Sequence, residues 1–203
     1  FRDLSQLELV KMQRALSAEG IEPDEVASLL TIALQNAITY GQRAIAVNPS
    51  NAENFRTLGR VYEAAIPLVT DSVDLALANY QAARTLSPRD PSSIADIART
   101  HLALADTIIL QGGGSTSRAL AAEERRKALL LLEEALAIKP DYALAHFRLA
   151  QLYAAEGEAE AAIERSEIAF RLAPQDVGAA FQLGLLYYQQ DDLVSARRAF
   201  ERA

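Results

Sequence analysis

Chemistry in this 203-residue chain would have to rest on few groups, because it contains two histidines and no cysteine. A histidine beside a carboxylate is the commonest general base, and neutral imidazole is a common metal ligand. His101 and His146, however, stand at the last and first positions of an i, i+3, i+4, i+7 pattern, so both are assigned to packing along a helix. Without a thiol, thiolate nucleophiles, disulfides and cysteine-ligated metals are excluded. Gly112, Gly113 and Gly114 have no following Lys-Ser or Lys-Thr and no preceding strand, so with Ser115, Thr116 and Ser117 they are expected to form a loop rather than a phosphate cradle. The acidic pairs Glu123/Glu124, Glu133/Glu134 and Asp191/Asp192 lack calcium-loop spacing and are expected to be solvated faces. The expectation is a non-catalytic chain with no cofactor and no metal.

The formal charge is -7. Such a field repels phosphate backbones and anionic lipid, so nucleic acid is not an expected partner. Lysine occurs only at Lys11, Lys127 and Lys139; the other cations are arginines, whose planar fork suits fixed carboxylate pairing. No apolar run approaches the roughly 18 residues of a membrane span, so this segment is not expected to insert. Absence of cysteine fits a reducing or an oxidising space equally, which leaves the compartment open.

The elements that would position any site follow from a repeat. Four of the seven prolines have alanines five and twelve residues upstream: Ala37, Ala44, Pro49; Ala76, Ala83, Pro88; Ala128, Ala135, Pro140; Ala162, Ala169, Pro174. The alanine pair returns at Ala196 and Ala203. Upstream lies a second pattern: Phe55, Leu58, Gly59, Tyr62; Ile94, Ile97, Ala98, His101; His146, Leu149, Ala150, Tyr153; Ala180, Leu183, Gly184, Tyr187. The physical reading is an antiparallel helix pair. Helix A buries its stripe, with a small residue where helix B crosses it; the alanines let B approach its neighbours; the proline ends B.

These positions resemble the tetratricopeptide repeat, whose W-x2-L-G-x2-Y, A, F and P pattern they follow along the whole chain. The resemblance implies an all-α, right-handed α-solenoid of about five antiparallel helix pairs, as one domain over 1–203. Its repeats are 1–50, 51–90, 91–142, 143–176 and 177–203, the last truncated. Asn51, Asp90 and Asp176 stand at N-cap positions and Pro91 at a first helical position. Repeats one to three carry extra residues between A and B, expected to raise a wall along one edge. In repeat one they lengthen both helices, with an unbroken pattern from Pro23 to Val47 and a turn at Gly20 to Glu22. In repeat two Pro67 stops helix A and Asp71 restarts the chain. In repeat three they make longer helices and the glycine-rich loop, whereas repeat four turns at Gly157. Neutral drift at a tolerant turn accounts for such insertions as well as a functional face does.

A second stripe on each A helix, one, five and eight places after the start of the first, lines the family's peptide groove. Here it includes Arg56, Arg60, Arg99, Phe147, Gln151, Phe181, Leu185 and Tyr188, running from basic to aromatic. The expectation is an extended segment with an acidic part over the arginines and an apolar part over the aromatics. The alternative is that the arginines pair with Glu63 and Asp96 and the aromatics pack within the stack. The matching places of the chaperone-tail-binding subfamily hold no asparagine, so that specificity is not carried over.

The function expected is a protein-interaction scaffold. Residues 48–54, 140–147 and 181–188 also resemble repeat domains appended to bacterial multi-span membrane proteins of the O-antigen ligase or polymerase type. That likeness implies a piece of a longer chain, tethered at a membrane through a preceding region. Self-association through an uncapped last repeat is the third expectation.

Overall fold

A proline ring bars the residue before it from the α-helical region. Asn48, Ser87, Lys139 and Ala173, each followed by one of the four repeat prolines, have φ of -142°, -138°, -139° and -134° and ψ of 85°, 70°, 92° and 70°. In each case the backbone N–H still donates to the carbonyl of the second repeat alanine: Ala44, Ala83, Ala135 or Ala169. The five-residue spacing from alanine to proline is thus the geometry of one closing turn.

The computed structural model describes residues 1–17, 20, 22–66, 69 and 71–202. Among these are ten helices: α1 (Arg2–Leu16), α2 (Pro23–Val47), α3 (Ala52–Ala64), α4 (Ser72–Leu86), α5 (Pro91–Gln111), α6 (Ser115–Ile138), α7 (Ala143–Glu156), α8 (Ala159–Leu172), α9 (Val177–Gln189) and α10 (Leu193–Phe200). The fold is all-α. The chain divides into two compact units, Phe1–Thr100 and His101–Ala203, the boundary falling within the residues of α5. In the first, α1 packs on α2, α3 on α4, and α2 on α3; in the second, α7 packs on α8, α9 on α10, and α8 on α9.

The repeat alanines form the spine of this packing. Ala37, Ala76, Ala83, Ala128, Ala135 and Ala162 are fully buried, and Ala44, Ala169 and Ala196 nearly so; Ala203 lies outside the described residues. Glycine allows the closest A-to-B crossings. A Cβ on Gly59 would lie 2.6 Å from the Tyr80 ring, and one on Gly184 would lie 2.5 Å from that of Phe200. Asn54, buried on α3, donates to the Ala44 carbonyl at 2.8 Å and the Asn48 carbonyl at 3.1 Å, binding the start of one repeat to the end of the previous one.

The caps stand where expected. Asn51 accepts from the Glu53 N–H, Asp90 from Ser92 and Asp176 from Ala179, at 3.0, 2.9 and 3.1 Å. Gly157 turns repeat four with φ of +81°, and Asp71 is the left-handed residue before α4. Two expectations change. In repeat one the lengthening is carried mainly by α2, with 25 residues against 15 in α1. The glycine-rich loop is only Gly112–Gly114, because Ser115, Thr116 and Ser117 form the first turn of α6. In repeat two, where no helix was expected to lengthen, α3 and α4 have 13 and 15 residues and the added residues lie in the connection ahead of Asp71. Pro67, and Ile21 of the repeat-one turn, lie outside the described residues.

Candidate functional site

In the first unit, Glu53, Arg56, Arg60 and Glu63 follow one another at three- and four-residue intervals on α3, which places them along one face. Asp96 and Arg99 on α5 meet that face. Arg56 donates from Nε to Asp96 and from Nη1 to Glu53, both at 2.8 Å. Arg60 also donates to Glu53. Arg99 uses Nε and Nη2 to hold both oxygens of Glu63 at 2.7 Å, and its Nη2 lies 3.2 Å from Asp96. The Tyr80 hydroxyl, from α4, donates to Glu63 at 2.6 Å.

This lattice sets Arg56, Arg60 and Arg99 against Glu53, Glu63 and Asp96, three cations against three carboxylates. Burial alone would weaken proton binding by Arg56 and Arg99, but the adjacent carboxylates reverse this and hold both above the ordinary guanidinium range. Burial pushes the Asp96 carboxyl up, and the arginines pull it back only in part. Burial and the Glu63 charge push the Tyr80 phenol well above its usual value. The pairing with Glu63 and Asp96 is therefore present, and the face has no local excess of positive charge. Glu53 and Tyr80 were missed, although the three-residue spacing from Glu53 to Arg56 was a readable signal.

In the second unit, Phe181, Leu185 and Tyr188 stand at i, i+4 and i+7 on α9 and are 52%, 39% and 60% exposed. The other side of the same helix is buried through Ala180, Leu183 and Gly184. Phe181 also stacks at a tilt on Phe200, with ring centroids 5.6 Å apart. On α7, the Arg148 guanidinium lies 5.6 Å from the Phe147 ring centroid and donates to Gln151 at 2.7 Å. The Phe147 ring edge approaches the Gly178 position at the start of α9.

The histidines are more polar in their contacts than expected. His101 Nδ1 is 2.6 Å from Glu124, whose other oxygen accepts from Lys127 at 2.6 Å. Glu124 is thus mostly buried rather than solvated, correcting the reading of that acidic pair. Asp191 and Asp192 are exposed, and Asp192 also caps α10 by accepting from the Ser195 N–H at 3.0 Å. His146 is buried and meets the Pro140 carbonyl through Nε2 at 2.9 Å. Among the described residues no group of three or more His, Asp or Glu could hold a metal, and no helix is long and apolar enough to cross a membrane.

No protein-family model matches the chain, and no curated protein does. Solved structures do. TTC0263, a tetratricopeptide-repeat protein of Thermus thermophilus, is 22% identical, with 97% of this chain and 91% of that one covered and a TM-score of 0.67. MamA from Desulfovibrio magneticus RS-1 is 19% identical over 98% of this chain and 93% of its own, with a TM-score of 0.54. PilF of Pseudomonas aeruginosa is 19% identical over 99% of this chain and 74% of its own, with a TM-score of 0.53. None of these three is named as an O-antigen ligase or polymerase. The repeat alanines, the closing prolines and this likeness agree: the chain has the tetratricopeptide-repeat fold.

Proposed function

We propose that this chain is a non-catalytic scaffold that holds an extended segment or a surface of a partner protein. The apolar part of the partner lies against Phe181, Leu185 and Tyr188, with Phe147 and Gln151 contributing from α7. The observation that carries this reading is the α9 stripe: three large apolar side chains aligned at helical spacing and left in water, on a helix whose opposite side is already buried. Aligned exposed aromatics are costly to solubility and are the usual anchors of recognition. Arg56, Arg60 and Arg99 of the other unit are already paired, and an acidic ligand binds them only by displacing their carboxylates Glu53, Glu63 or Asp96.

Selection of displayed random peptides tests the proposal, with the Phe181→Ala, Tyr188→Ala double variant as counter-target. The expected result is a set of peptides with an apolar anchor that bind the native chain and not the variant. Peptides that bind both equally contradict it. Self-association is a second reading, favoured by Leu193 and Val194, adjacent and well exposed on α10. Sedimentation from dilute to concentrated solution tests it, and a monomer throughout counts against it.

A further inference from the structure

A pocket of about 220 Å³ opens between α8, α9 and α10, lined by Phe170, Leu183, Tyr187, Ser195, Arg198 and Arg202 among others. Its volume is below the range of small-molecule sites and suits a side chain. Leu183 and Tyr187 lie about half a turn around α9 from the Phe181, Leu185 and Tyr188 stripe, so this is a different surface.

Its charge is the exception in an acidic chain. Arg198 lies in the last turn of α10 and Arg202 just beyond its end, and both line this pocket, so two cations meet at one opening. The nearby carboxylates form their closest contacts with other groups, although Asp192 also feels the charge of Arg198. Glu201 takes Arg197 at 2.7 Å, Glu167 accepts the Tyr187 hydroxyl, and Asp192 caps α10. Among the described residues no carboxylate lies within ion-pair reach of Arg198 or Arg202, unlike the neutralised arginines of α3 and α5. The Arg202 guanidinium lies 5.9 Å from the Phe170 ring centroid, so cation and aromatic wall are already together.

We propose that this pocket receives an acidic side chain of a partner polypeptide, its carboxylate between Arg198 and Arg202 and its carbon chain against Phe170 and Tyr187. The site is complementary in charge to carboxylate and in surface to the methylenes that carry it. Its lining includes none of the α9 stripe residues.

The test uses two fluorescein-labelled pentapeptides, Asp-Glu-Leu-Glu-Asp and Asn-Gln-Leu-Gln-Asn, and measures anisotropy on the whole chain at low and high salt. The acidic peptide is expected to bind at least about tenfold more tightly at low salt and to lose that margin at high salt. Arg198→Gln with Arg202→Gln, both at exposed positions and checked for helicity, removes the preference; Arg126→Gln, which removes a well-exposed cation on α6, leaves it. Equal binding of the two peptides overturns the proposal. So does failure of either to bind, or a preference that survives the arginine variant.

Discussion

Both carboxylate oxygens of Glu63 on α3 receive the guanidinium of Arg99 on α5, each at 2.7 Å, while the Tyr80 hydroxyl adds a third bond at 2.6 Å. A fork matched to a carboxylate in this way fixes the two helices in one register. Removing the cation leaves Glu63 and Asp96 short of a partner in a mostly buried place. Arg99→Ala is therefore expected to cost about 3 kcal/mol in urea unfolding. Arg99→Lys is expected to recover only part of this, since an ammonium cannot reproduce the two-pronged contact. A cost below about 0.5 kcal/mol would show that the lattice is a surface feature.

Gly59 lies directly beneath the Tyr80 ring. Gly59→Ala puts a methyl 2.6 Å from that ring, and a well-packed A-to-B crossing has no slack to absorb it. The expected destabilisation is about 2 kcal/mol despite alanine's better helix propensity. In a Tyr80→Leu background the same change is expected to be nearly neutral or stabilising. A double-mutant cycle with no coupling contradicts the account.

Acid should open the His101–Glu124–Lys127 cluster. Burial raises the Glu124 carboxyl, but hydrogen bonds from Lys127 and His101 outweigh it and leave it below its ordinary value. The folded state thus binds this proton less readily than the unfolded state. Its contribution is present above the ordinary carboxylate range and lost as pH falls through the depressed value. Asp192, lowered by the Ser195 backbone N–H, acts in the same direction. Urea midpoints measured against pH are expected to fall on the acid side, with a shallower fall in Glu124→Gln. An unchanged slope would contradict the assignment.

Alkaline titration gives an independent check. Burial and the Glu167 carboxylate push Tyr187 up to about 12, and Tyr80 is shifted in the same direction. A raised phenol contributes stability below its ordinary value and loses it as pH climbs through the raised one. Tyrosinate absorbance of the native chain is expected to show late-titrating phenols, one of them absent in Tyr187→Phe. Titration of that phenol at the ordinary value would break the link to Glu167.

Much of the fold was legible in the sequence, because an alanine five residues before a proline leaves little freedom. The alanine carbonyl accepts the closing N–H, and the residue immediately before the proline leaves the helical region. Asn51 and Asp176 announced themselves as caps for the same local reason. Ser115 to Ser117 misled, since short hydroxyl residues suit a loop and a first helical turn alike. The site was only half legible. Helical spacing marked the α9 stripe and the arginines, but their neutralisation depends on Tyr80 from α4, on Asp96 from α5 and on Glu53, one turn before Arg56. The Arg198 and Arg202 pocket needed the approach of Phe170 from another repeat, which spacing does not report.

Hydrogen–deuterium exchange of the chain, with and without a peptide selected against it, tests the scaffold reading most directly. The account predicts protection concentrated on α9 between Phe181 and Tyr188 and on α7 between Phe147 and Gln151, abolished by Phe181→Ala with Tyr188→Ala. Protection confined to helices other than α7 and α9, unaffected by that double variant, would contradict it.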